Sequence, residues 1–279
     1  SLHDALPISL TLHHLDIVRN GQRSSRLAPD KVQLLHREKQ LEQQLYDGRL
    51  TATVVLDDVR VGDDIDFAYS ISGQNPVFGA RFVHSTEMRS WRGPTTLYRV
   101  RLLAPADRPI VVQSLPRDAL VESTVNGALR ETVFTRRQVA QFAQEPGITA
   151  AAWWPDTLQF SEFADWAAVA AWGRQLFEEG PGPQTRALAT AIAAKSTSPT
   201  DRVLEALRVV QQDVRYFGIE MGAASHRPSP PDQVLGQRFG DCKDKVALFT
   251  ALLKELGIDA SPVLVNTDLR DRIATSAAT

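Results

Sequence analysis

The sequence predicts an α+β chain in two parts, an antiparallel β-sandwich-like or open-barrel region followed by a helix-rich region. Three observations carry this. Short runs alternating apolar and polar residues, separated by turn dipeptides, fill residues 9–135. Beyond residue 160 the apolar spacing shifts from two to the three and four of helices. Near the end, the single cysteine Cys242 stands at the start of a strongly signalled helix.

Residues 1–8 are set aside as foreign or mis-assembled sequence. In 9–135 the clearest strand is Asp64 to Ile71, with Ile65, Phe67, Tyr69 and Ile71 on one face. Asn20-Gly21, Asp47-Gly48 and Asn126-Gly127 are hairpin-type turn dipeptides. Leu97 to Leu103 and Ile110 to Leu115 supply further strands, and many short strands at this spacing suggest a sandwich or barrel. Nothing there has the spacing of a catalytic site, so binding or scaffolding is the expected role of this half.

Residues 136–160 form a connector that includes Trp153-Trp154-Pro155. Ser161 is placed to cap a helix to about Glu178, with Phe163, Trp166, Ala167, Ala170 and Leu176 inward. Gly180-Pro181-Gly182-Pro183 breaks the chain before an alanine-rich helix to about Lys195. Ser198-Pro199-Thr200-Asp201 starts another helix, with Val203, Leu207, Val210 and Val214 at helical spacing and Tyr216 at its end. Residues 161–279 are therefore a helix-rich second domain, closing on a strand Pro262-Val263-Leu264-Val265.

In the last helix Asp241 suits the N-cap and Asp244 can return the capping interaction. Gly257 is a natural terminator, with Lys254 in the last turn. Cys242 falls in the first turn, where unpaired N–H groups favour a thiolate, the form that attacks acyl carbons. A second reading stands beside it. Cys242, Val246, Phe249, Leu253 and Leu256 share one helical stripe, which would turn the sulfur toward the core as a small hydrophobe.

With 43% hydrophobic and 23% charged residues the composition is that of an ordinary globular chain, and 279 residues suggest two domains. A net charge of −2 with no Lys/Arg cluster argues against nucleic acid as a partner, and no apolar run is long enough for a transmembrane segment. One cysteine excludes an internal disulfide and a cysteine-based metal cluster. His13 and His14 lack metal-ligand spacing, so neither a metal nor a cofactor is expected.

Arg215-Tyr216-Phe217-Gly218-Ile219-Glu220, Ser225-His226-Arg227-Pro228-Ser229-Pro230-Pro231 and Gly240-Asp241-Cys242-Lys243-Asp244-Lys245 together resemble the transglutaminase-like domain of bacterial proteins. The run Leu256-Gly257-Ile258-Asp259-Ala260-Ser261-Pro262 continues that resemblance. Upstream, Asp16-Ile17-Val18-Arg19-Asn20-Gly21, Val59-Arg60-Val61-Gly62-Asp63 and Tyr69 to Phe78 resemble the β-rich domain of unknown function often fused ahead of it. The resemblance implies the opening portion of a papain-like α+β domain after residue 161, and a Cys-His-Asp triad with Cys242 as nucleophile. The family's histidine and aspartate follow on later strands, whereas no histidine occurs after His226. The chain is accordingly expected to be a fragment, inactive as it stands.

By the same resemblance, Tyr216 is a candidate oxyanion support with the Cys242 N–H, against a role as a packed aromatic. Gln237 is a candidate oxyanion donor, and His226 a candidate base against a loop role. Lys243 and Lys245 bring positive charge to the sulfur, opposed by Asp241 and Asp244. Trp153, Trp154, Trp166 and Trp172 could line an acyl groove or pack a core. The implied function is a cysteine acyltransferase or peptidase acting on a peptide, a protein or a cell-envelope polymer, with a periplasmic or envelope location. The alternative is a non-catalytic binding or scaffold protein.

Overall fold

The computed structural model describes residues 8–36, 42, 44–48, 50–113, 116–143, 156–266 and 273. Residues 1–7, Leu115, Trp153-Trp154-Pro155 and the tail 274–279 lie outside them. The strands are β1 (Ser9–Arg19), β2 (Gln22–Ser25), β3 (Val32–His36), β4 (Leu45–Tyr46), β5 (Leu50–Val54), β6 (Asp64–Ser72), β7 (Val83–Glu87) and β8 (Thr95–Pro105). They continue as β9 (Val111–Gln113), β10 (Leu120–Asn126), β11 (Leu129–Val139), β12 (Thr157–Ser161), β13 (Arg215–Tyr216), β14 (Gly218–Ile219) and β15 (Phe239–Gly240). The α-helices are α1 (Trp166–Leu176), α2 (Pro183–Lys195), α3 (Pro199–Arg208), α4 (Pro231–Gln237) and α5 (Cys242–Glu255). The class is α+β, an antiparallel β-rich N-terminal region followed by a helical one. Among the described residues no helix is long and apolar enough to cross a membrane.

The chain divides into two compact units, Ser1–Gly79 with Leu176–Pro262, and Ala80–Gln175 with Val263–Thr279. In the second, β10-β11-β8 and β7-β12-β9 form three-stranded antiparallel sheets. Its core holds Met88, Phe134, Leu158 and Phe160, with the Phe134 and Phe160 rings edge-on at 5.6 Å. Strand β12 corrects one sequence expectation. Thr157 to Ser161 is a strand buried at every position, so Ser161 caps no helix. Helix α1 starts later, where the Asp165 carboxylate accepts from the Ala168 N–H at 2.8 Å. Its inward residues are Val169, Gly173 and Leu176, while Ala167 and Ala170 are exposed.

In the first unit, β2-β1-β6 form an antiparallel sheet, and Asn20 and Gly21 turn between β1 and β2 with positive φ (52° and 79°). Ile65, Phe67, Tyr69 and Ile71 share one face of β6 and stay exposed. Asp47-Gly48 joins no hairpin, because β4 pairs in parallel with β14 and β5 pairs with β3. Gly48 has φ +65°, and a Cβ there would lie 2.6 Å from Met221 Sδ.

Helices α2 to α5 enclose the main core. Leu248 and Leu252 of α5 are fully buried among Ala189, Ile192, Ala206, Val210, Val214 and Val234. Burying a leucine side chain stabilises the fold by about 1.5–3 kcal/mol. Ser198 caps α3, accepting from the Asp201 N–H at 3.2 Å. Helix α2 has only Gly182 and Pro183 locally, and its cap is remote. The Asp232 carboxylate of α4 accepts from the N–H groups of Gln184 and Thr185, each at 2.9 Å, and from Thr185 Oγ1 at 2.6 Å. Tyr216 ends no helix but lies in β13. The strand expected over Pro262 to Val265 is absent from the described residues: Val263, Leu264 and Val265 are exposed and no strand pairs with them.

Candidate active site

Helix α5 begins as its sequence dictates. Asp241 accepts from the N–H groups of Lys243 (3.0 Å) and Asp244 (3.2 Å), and the Asp244 carboxylate accepts from the Asp241 N–H at 3.1 Å. This cap leaves the Cys242 N–H outside it. The helix closes at Gly257 (φ +72°), with the Ile258 N–H donating to the Leu253 carbonyl at 2.9 Å. The stripe that would have buried the sulfur is corrected. Cys242 is exposed and Val246 is 36% exposed, whereas Phe249, Leu253 and Leu256 of the same stripe pack on the core beside Leu248 and Leu252. A sulfur in that position contributes nothing to packing, which removes the structural reason for a cysteine there.

Two very short parallel pairs bring the remaining groups in. Tyr216 lies opposite Gly240 in the β13–β15 pair, and the Phe217 N–H donates to the Gly240 carbonyl at 3.1 Å. Gly240 is followed directly by Asp241 and Cys242, so this pairing carries the Tyr216 ring to the start of α5. The Tyr216 hydroxyl lies close enough to Cys242 for the thiolate charge to act on it. Burial, then the negative charges of Cys242, Asp241 and Glu220, hold the phenol above its ordinary pKa, which keeps it a proton donor at neutral pH.

Both glycines flanking this arrangement stand at close approaches. A Cβ at Gly218 would lie 2.5 Å from Leu45 Cδ2 and 3.1 Å from Asp241 Cβ. One at Gly240 would lie 2.7 Å from Asp244 Cβ.

The flanking lysines have other partners. Lys243 pairs with Asp241 and, at 3.7 Å, with Glu220, and its side chain is 11% exposed. Lys245 donates to the Val214 carbonyl at 2.8 Å, and burial lowers its pKa. Gln237 gives its amide to the Phe239 carbonyl at 2.8 Å. His226 meets Ser225 Oγ through Nδ1 at 2.7 Å and stands edge-on to Phe78 at 5.0 Å. Burial and the Lys243 charge push its imidazole below the ordinary value. Trp166 and Trp172 lie on α1, where Trp172 packs on Phe163 at 5.5 Å. Sequence reasoning passed over Glu220 and the second bond of Asp244, from the Ser229 N–H at 2.6 Å. The spacing of Gly218 and Gly240 around Asp241 was the available signal.

Comparison with known proteins bears on the two halves of the chain and on the fold. Residues 8–143 match a domain of unknown function, DUF3857, and residues 186–278 match the transglutaminase-like superfamily. No curated protein matches the sequence. The crystal structure of a "putative protease" from Parabacteroides distasonis superposes with a TM-score of 0.72 at 16% identity, covering 90% of this chain and 49% of that one. The chain thus spans about half the length of that protein, and the likeness establishes the fold. A "putative cysteine protease" from Cytophaga hutchinsonii aligns over 63% of each chain at 14% identity, with a TM-score of 0.26 too low to support any argument. Behind a DUF3857 match at its N-terminal side, the part of the chain that carries Cys242 matches the transglutaminase-like superfamily over residues 186–278.

Proposed function

We propose that this chain supplies the nucleophile and oxyanion side of a transglutaminase-like thiol site acting on peptide or amide carbonyls. The observation that carries the reading is an exposed Cys242 in the first turn of a helix closed by a capping box, with Tyr216 held opposite Gly240 next to it. In the reaction, Cys242 Sγ bonds to the carbonyl carbon and the oxygen becomes an oxyanion. The Cys242 N–H and the Tyr216 hydroxyl are the donors placed to receive it. Collapse breaks the C–N bond, the amine leaves with the proton given up by the thiol, and water or a second amine takes the acyl group from the thioester.

A general base must carry that proton, and the sequence holds no histidine after His226. Cys242 is the sole cysteine, which makes the test unambiguous. Iodoacetamide at pH 7 should modify the folded chain faster than the chain in urea; an equal or slower rate in the folded state refutes the nucleophile. The exposed apolar face of β6, with Ile65, Phe67, Tyr69 and Ile71, favours a second reading, a non-catalytic binding protein, which that slower rate would support.

A further inference from the structure

We propose that Asp244 is a positioning residue of the thiol site: its buried carboxylate grips the backbone between Gly240 and Cys242 and fixes the sulfur against the Tyr216 hydroxyl. The inference rests on the reading of Cys242 as a nucleophile. A capping box asks one bond of its third residue, and Asp244 makes it, from the Asp241 N–H at 3.1 Å. The other carboxylate oxygen accepts from the Ser229 N–H at 2.6 Å, fifteen residues earlier and outside the helix. No helix cap needs that bond. It ties the loop carrying His226 to the same carboxylate that holds the chain entering Cys242.

The glycine at 240 fits the same assignment. Gly240 is the residue opposite Tyr216, and any side chain there would collide with Asp244 Cβ at 2.7 Å. From the Tyr216 ring to the sulfur the connection runs across one strand pair, through Gly240 and Asp241, and into Cys242. Asp244 is packed over the first of these and hydrogen-bonded to the second. At 7% exposure its carboxylate is shielded from solvent, so water replaces neither bond cheaply.

The test is a double-mutant cycle on alkylation of the intact chain, read as a rate across pH 5–9. Asp244→Asn converts one acceptor oxygen into an amide group that cannot accept, so one of the two bonds is lost. Tyr216→Phe in the parent chain should slow alkylation at neutral pH about tenfold, the size of one hydrogen bond to a charged group. In the Asp244→Asn background the same change should cost less than about twofold, because the hydroxyl and sulfur no longer meet. The same tenfold loss in both backgrounds overturns the proposal. A measurement on the unsubstituted chain keeps it falsifiable should Asp244→Asn fail to fold. The Asp241 and Ser229 amides should be protected from hydrogen exchange and open together, and free-loop exchange at either one overturns the proposal. A parent thiol no faster than the chain in urea brings down the nucleophile reading itself, and this inference with it.

Discussion

Replacing Asp241 by alanine separates the two things its carboxylate does. The side chain is 2% exposed; it caps the N–H groups of Lys243 and Asp244 and pairs with the Lys243 ammonium. Losing an aspartate N-cap costs about 0.5–2 kcal/mol. Lys243, itself 11% exposed, would keep only Glu220 at 3.7 Å, and losing a hydrogen bond to a charged group costs about 1.5–3 kcal/mol. The total is about 2–5 kcal/mol for opening the first turns of α5. Hydrogen exchange reads this locally in the intact chain, and at tenfold per about 1.4 kcal/mol the α5 amides should exchange roughly 30-fold to several thousand-fold faster. Asp241→Asn retains the cap, since asparagine is as good an N-cap, and loses only the ion pair, so it should recover about 1 kcal/mol of the deficit. An Asp241→Ala chain whose α5 amides quicken by less than about fivefold refutes the reasoning. Equal effects of the two substitutions would mean the cap contributes nothing.

Two further outcomes follow from the same unit. Leu252→Ala, at a fully buried position in the helical core, should cost about 2–5 kcal/mol in urea unfolding followed by far-UV circular dichroism, and a loss below about 1 kcal/mol would contradict the packing described. His226 titrates below its ordinary 6.5 in the folded chain, so the unfolded chain binds its proton first. Its contribution is therefore present above about pH 6.5 and lost as pH falls through the depressed value. Stability measured from pH 7 to pH 5 should decline less steeply in His226→Gln, and a steeper decline in the variant would reverse the sign.

What could be read from the sequence was whatever closes within a few residues. The Asp241/Asp244 box, the Gly257 terminator and the Ser198 cap each involve partners three to five positions apart, and each is present. The period-two run of β6 and the Asn20-Gly21 turn are equally local. What was misread depends on distant partners. Tyr216 sits in a strand only because Phe239–Gly240 passes beside it. Thr157 to Ser161 alternates like a half-exposed strand, yet it runs between β7 and β9, and even Gln159 is 2% exposed. The Cys242 stripe failed only at its N-terminal end, because Phe249, Leu253 and Leu256 do pack on the core while Cys242 and Val246 stay exposed.

The remote cap on α2 bears on the order in which the chain can assemble. As synthesis proceeds, Gln184 and Thr185 emerge with no side chain nearby to take their N–H groups, and Asp232 follows only 47 residues after Thr185. Until then the first turn of α2 is left to water and frays. Its completion waits on the docking of α4, a few residues before Cys242 appears. One of the helices that α5 packs against is thus completed by a residue only ten positions before the nucleophile.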